Sequence, residues 1–307
     1  MSNLSDDRKL ILTNIPGSHD SAAYNMHYFG TVFAQCQDLN IMGQLKAGTR
    51  KFDIRVTNNN CIFSCGLNRI VEEHDYDIIC CHGICNCYHT DEGGNKINLT
   101  LKSVLLDMKN FLEENPTEII VYSMASGRGD KVYNFNRAFQ IFEKIVGEIS
   151  INYNSNLTIG ECRGKIVKLN TKSELDQDGK INYNEFQEGI GLEEIHQKFV
   201  PDFTYGSFKV DAKLKIKEVE EFLNINNLTL KEAEKDLQIN KKKYPFKYSI
   251  SCTGEYESII PLPRAQADII NKFILNYNLK KGNYYGWINI DFIEPNIAKK
   301  IIDTNFL

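Results

Sequence analysis

The chain has little that would suit it to nucleic acid: 36 Lys and Arg stand against 40 Asp and Glu, a formal net charge of -4. Without a basic excess, phosphate contacts along a duplex have no source, which excludes a nucleic-acid partner. No apolar run approaches the roughly 20 residues needed to span a bilayer, so any membrane contact is peripheral. The first ten residues, MSNLSDDRKL, lack the basic start and apolar stretch of a secretory leader. A cytoplasmic or peripheral membrane location follows, with secretion of a processed form left open. Proline is sparse, at seven residues, and there is one tryptophan. Cysteine is not scarce, but nine is an odd number and 307 residues can build their own core, so no disulfide framework is required.

What is present is an alternation of short β-rich apolar runs with longer helical periods. Candidate strands lie at 10–15, 51–56, 78–81, 118–123, 165–169, 248–252 and 286–292, with helical periods at 39–46, 99–114, 135–149, 210–223, 230–239, 264–277 and 296–304. Asn98 to Thr100 punctuates one helix start, and Pro295 suits the first turn of the last. The pattern predicts an α/β fold, a distorted TIM-type (β/α) barrel spanning 1–307 as a single domain. A polar excursion rich in Asp, Glu and Asn interrupts it at about 171–205.

In such a barrel the reactive residues project from the C-terminal ends of strands. The first strand is followed by Pro16-Gly17-Ser18-His19-Asp20-Ser21, the second ends Phe52-Asp53-Ile54-Arg55, the third ends Cys81-His82-Gly83, and the last ends Asn289-Ile290-Asp291. Two imidazoles, three carboxylates and a guanidinium thus converge on one mouth. One imidazole can take a proton from an attacking hydroxyl while the other gives one to a leaving oxygen. Arginine supplies a permanent cation for charge on phosphoryl oxygens, and carboxylates orient the imidazoles. That combination suits a phosphodiester.

These motifs resemble the bacterial-type, metal-independent phosphatidylinositol-specific phospholipase C, or X-domain, family. The similar segments are residues 16–21, the run from Gln44-Leu45 through Gly48-Thr49-Arg50-Lys51-Phe52-Asp53-Ile54-Arg55, His82-Gly83, and Gly286-Trp287-Ile288-Asn289-Ile290-Asp291-Phe292. The resemblance implies His19 as general base with Asp291 as its partner, His82 as general acid supported by Asp20, and Arg55 on the phosphate, steadied by Asp53. It implies cleavage of phosphatidylinositol, or a related inositol phosphodiester, to diacylglycerol and a cyclic inositol phosphate, at a phospholipid head group on a membrane surface. No cofactor is required and no metal is implied at the active site, because Arg55 stands where calcium-dependent relatives carry acidic ligands. The head-group residues of bacterial members are not matched at 123–126, 169–171 or 206–208; Arg128, Lys131 and Lys168 are the nearby cations.

Two other readings stay open: a lipid or inositol-phosphate binding module with weak or lost turnover, and a glycerophosphodiester phosphodiesterase, which needs a metal held by paired glutamates. Residues 174–186, ELDQDGKINYNEF, fit most of a calcium-loop template through Glu174, Asp176, Asp178, Lys180, Asn182 and Glu185, with Gly179 at the turn. The bland alternative is a solvated acidic loop. Cys61, Cys65, Cys80, Cys81, Cys85 and Cys87 cluster around His82, with zinc ligation, disulfides and free thiols as the three options. Zinc on His82 would be incompatible with its acid role.

Overall fold

A computed structural model describes residues 1–26, 28–57, 78–83, 85–127, 135–169, 212–240, 249–252 and 263–307. The excursion at 171–205, the candidate calcium loop with Glu174, Asp176, Asp178, Lys180, Asn182 and Glu185, and Cys61, Cys65, Arg128 and Lys131 lie outside the described residues.

The sheet runs in the order Ser249–Cys252, Trp287–Ile290, Ile15–Ser18, Lys51–Thr57, Ile120–Ser126, Ile166–Lys168, Ser150–Asn152. All six pairings along that path are parallel. Helices cover its outer face, the arrangement of a TIM-type barrel. Among the described residues the first and last strands of the path do not pair. No helix of the described residues is long and apolar enough to cross a membrane.

Strand periodicity sorts the side chains. Along Lys51–Thr57, Phe52, Ile54 and Val56 face outward into a cluster with Val104, Leu105 and Met108 of helix Leu101–Glu114 and Phe142 of helix Phe135–Val146. Each such burial contributes about 1.5–3 kcal/mol relative to an exposed side chain. Lys51, Asp53 and Arg55 alternate onto the barrel interior. Ile288 and Ile290 likewise face out, against Phe222, Ile270 and Ile297. Inside, Ile15, Val121, Val167 and Trp287 form a plug with Leu10, Leu12 and Tyr153.

Residues 10–15, read as a strand, behave otherwise: Leu10–Leu12 is a buried 3-10 turn and the strand is Ile15–Ser18. A short apolar run fits a barrel plug as well as a strand, and periodicity does not separate them. The strand at 78–81 also differs, because Ile79–His82 is not a barrel stave. It pairs antiparallel with Val56 and Thr57, then turns through Gly83, at φ 54, into Cys85–Asn86. That hairpin brings His82 to the mouth from the side.

Helix signals are local and act as read. Thr100 accepts a hydrogen bond from the Ser103 amide at 3.2 Å. Pro295 opens the helix Pro295–Asp303. Helix Ile41–Ala47 is capped by Asn40 and ends at Gly48, whose φ of 108 favours glycine. Gly17 is required by a close approach, since a Cβ there would fall 2.2 Å from the Asn289 side-chain oxygen.

Candidate active site

The parallel register aligns Ser18 with Ile290, and the His19 amide continues the ladder by donating to the Ile290 carbonyl at 3.2 Å. The next pair of residues, His19 and Asp291, therefore emerges side by side at the mouth. His19 Nδ1 lies 2.8 Å from Asp291 Oδ1, and both residues are buried. The other ring nitrogen, Nε2, is 2.8 Å from the Arg55 guanidinium. Guanidinium only donates, so Nε2 is the acceptor and Nδ1 carries the proton toward Asp291. The inventory of donors thus assigns a neutral imidazole with its basic nitrogen toward Arg55.

Arg55 is held from below by Asp53, two residues earlier on the same face, with Nε and a terminal nitrogen 3.3 and 3.2 Å from Asp53 Oδ2. Asp53 Oδ2 also accepts from the Asp20 amide at 3.3 Å. Asp20 adopts φ 39, a left-handed conformation that aspartate tolerates better than most residues. Its carboxylate is completely buried, 3.7 Å from Arg55 Nε and 3.6 Å from His82 Nδ1, and neither oxygen has a hydrogen-bond partner among the described residues. Burial pushes the Asp20 carboxyl above its ordinary range, against the opposing pull of His82, Arg55 and His19.

His82 stands beside Asp20, Nδ1 to Oδ2 at 3.6 Å, and has a second partner that the motifs do not show. Its Nδ1 hydrogen-bonds the Ala34 carbonyl at 2.7 Å, with Asp20 beyond hydrogen-bonding distance. A carbonyl only accepts, so Nδ1 is protonated and Nε2 is left for proton exchange. The two imidazole rings stand edge to face, 6.3 Å between centroids. All six site residues read from the sequence, His19, Asp20, Asp53, Arg55, His82 and Asp291, meet at this mouth. Lys168 does not. It points outward, 3.5 Å from Glu143 of the covering helix and against Phe142.

Three contributors carried no sequence signal. Gln37 is fully buried and donates to the His19 and Ile290 carbonyls at 2.8 and 2.9 Å while accepting from the Ile293 amide at 3.1 Å. It clamps the two strand ends that bear His19 and Asp291. Ala34 contributes only its carbonyl. Cys36 lies between the histidines, with Sγ 3.5 Å from His82 Nδ1. A glutamine, alanine and cysteine in a loop have no periodicity or motif to mark them. Of the cysteines among the described residues, Cys36, Cys80, Cys87 and Cys162 are buried thiols outside any disulfide.

No protein-family model matches the chain. It is 27% identical over 317 residues to the 1-phosphatidylinositol phosphodiesterase of Listeria monocytogenes serovar 1/2a, covering 99% of this chain and 84% of that protein. To the protein of the same description from Staphylococcus aureus strain Newman it is 31% identical over 183 residues, 55% of this chain and 49% of the relative. The fold aligns with a solved structure of the phosphatidylinositol-specific phospholipase C from Staphylococcus aureus at a TM-score of 0.63 and 22% identity, covering 100% of this chain and 96% of that one. The corresponding Listeria monocytogenes structure aligns at 0.61 and 21% identity, over 100% and 98%. The Listeria sequence match runs through the middle of the chain as well as the motifs. By sequence and by barrel fold, this chain is similar to the bacterial phosphatidylinositol-specific phospholipases C.

Proposed function

We propose that this protein cleaves the phosphodiester of phosphatidylinositol, or a closely related inositol lipid, as a peripheral enzyme at a membrane surface. The observation that carries the reading is the pair of imidazoles 6.3 Å apart with separate fixing partners, Asp291 for His19 and the Ala34 carbonyl for His82, and Arg55 against His19. That separation leaves room for a phosphoryl group between a base and an acid.

In this scheme the substrate phosphate draws the Arg55 guanidinium onto its oxygens, releasing His19 Nε2. That nitrogen takes the proton of the inositol 2-hydroxyl as its oxygen attacks phosphorus. Asp291 stabilises the imidazolium that forms, as the carboxylate does behind other general-base histidines. The bond from phosphorus to the glycerol oxygen breaks, and His82 gives that oxygen a proton. Diacylglycerol leaves, and a cyclic inositol phosphate remains. Arg55 supplies the fixed positive charge for the pentacoordinate phosphorus, a place where a divalent cation serves in metal-dependent enzymes. Every proton and charge is thus carried by a residue at the mouth.

Phosphorus NMR of the protein with phosphatidylinositol vesicles in chelator tests the scheme. A cyclic inositol phosphate resonance is expected. Vesicle binding without that resonance would sink the enzymatic reading in favour of a lipid-binding module.

A further inference from the structure

Cys36 has no role in proton transfer, yet it sits 1% exposed at the floor of the mouth. Its Sγ, a carboxylate oxygen of Asp20 and a ring nitrogen of His82 all lie within 4.8 Å of one another. His82 Nδ1 is 3.5 Å from Cys36 Sγ and 3.6 Å from Asp20 Oδ2. Around a tetrahedral zinc, with bonds of about 2.0–2.3 Å, neighbouring donor atoms fall roughly 3.2–3.7 Å apart. Both edges therefore have the length a zinc ion would impose.

Asp20 gives an independent indication. A completely buried carboxylate with neither oxygen hydrogen-bonded, its cationic neighbours Arg55 and His82 standing only at 3.7 and 3.6 Å, keeps lone pairs for a further ligand. A second triad, His19, Cys36 and Asp291, shares the thiol. In each triad the histidine Nδ1 already donates, to Asp291 or to the Ala34 carbonyl, but only the Asp20 set has a carboxylate with neither oxygen hydrogen-bonded. A thiolate, an imidazole and a carboxylate together favour zinc over calcium or magnesium, which prefer oxygen donors throughout.

We propose that Asp20, Cys36 and His82 form a zinc site whose occupation switches the enzyme off. The ion displaces the thiol proton of Cys36 and, from the doubly protonated His82 that serves as acid, the Nδ1 proton; both go to solvent, Nε2 keeps its proton, and His82 exchanges its bond to the Ala34 carbonyl for a bond to metal. Thiolate and carboxylate together neutralise the dication. A metal-bound imidazole is no longer an imidazolium, and its remaining Nε2–H is far too weak an acid to protonate the leaving oxygen. The inhibition, though not the binding, rests on the acid role given to His82.

The test uses full-length protein freed of metal by chelator, titrated with zinc against a chromophoric chelator and, separately, with cobalt. One zinc per chain and a cobalt–thiolate charge-transfer band are expected. Cys36→Ser should lose the band and weaken zinc by at least about tenfold, while Cys85→Ser keeps both. Cleavage of phosphatidylinositol by the native protein should fall as the site fills and return with chelator. A band and an affinity unchanged in Cys36→Ser overturn the site. Zinc held through Cys36 with cleavage undiminished overturns the switch and, with it, the acid assignment of His82. If no cleavage occurs even in chelator, the lipase reading fails while the zinc and cobalt titrations still decide the site.

Discussion

His19 and Asp291 are 272 residues apart in sequence, and their side chains meet at 2.8 Å because two parallel strands end in register. The carboxylate selects the tautomer that leaves Nε2 basic. Asp291→Asn keeps the shape but offers an amide that can hold the wrong tautomer. It should lower kcat by about 10³–10⁴, the scale for such a change behind a general-base histidine, with the melting temperature little altered. Near-native turnover would remove Asp291 from the mechanism.

His19→Ala and His82→Ala should each reduce cleavage to background, and the double variant should be no slower than either single one. Residues that act on one transition state as base and acid are strongly non-additive. Losses that multiply, measured by single-turnover kinetics, would mean that the two act in separate steps.

Asp20→Asn should stabilise the protein while slowing it. Burial raises the Asp20 carboxyl in the folded state, so keeping it ionised costs stability once the pH exceeds the ordinary carboxylate range. Below that range Asp20 is protonated whether folded or unfolded, and the variant has no advantage. At neutral pH the variant should melt above the native protein, and the gap should widen as pH rises from the acid range. Asparagine also suits the left-handed backbone at this position. Melting curves across acid to neutral pH check the sign, and an advantage that shrinks with rising pH contradicts it.

Gln37→Leu removes the clamp between the ends of strands Ile15–Ser18 and Trp287–Ile290. It leaves the buried Ile293 amide without its acceptor. A loss of about 2–4 kcal/mol in urea unfolding is expected, together with a fall in kcat larger than any change in KM. Unaltered stability would show the amide to be replaceable.

Glu118 behaves in the opposite sense to Asp20. Burial alone would raise its carboxyl, but the charge and hydrogen bond of Arg50, at 2.8 Å, together with those of the Met1 amino group, at 3.0 Å, outweigh it and hold the group below its ordinary value. Its stabilisation is therefore present above the usual glutamate range and is lost as pH falls toward the folded value. Glu118→Gln should cost about 1–2 kcal/mol at neutral pH and flatten the acid side of the stability profile. A profile parallel to that of the native protein would refute the pairing.

The sequence alone determined what is local. Thr100 and Pro295 mark helix starts through their own hydrogen-bonding and backbone limits, and the alternation Phe52, Asp53, Ile54, Arg55 puts charge on one face and apolar bulk on the other. The His19, Arg55, His82 and Asp291 segments are visible because short motifs at strand ends keep chemistry and backbone geometry together. Tertiary structure decided the rest, because hydrogen bonds and burial depend on residues distant in the chain. The run 10–15 became a plug because the barrel interior needed filling, and 79–82 became a return strand because its free neighbour was the end of Lys51–Thr57. Only the packed mouth shows that His82 leans on the Ala34 carbonyl, that Gln37 ties two strand ends, and that Cys36 stands within ligand distance of His82. None of those three partners differs, in its own sequence neighbourhood, from an ordinary loop residue.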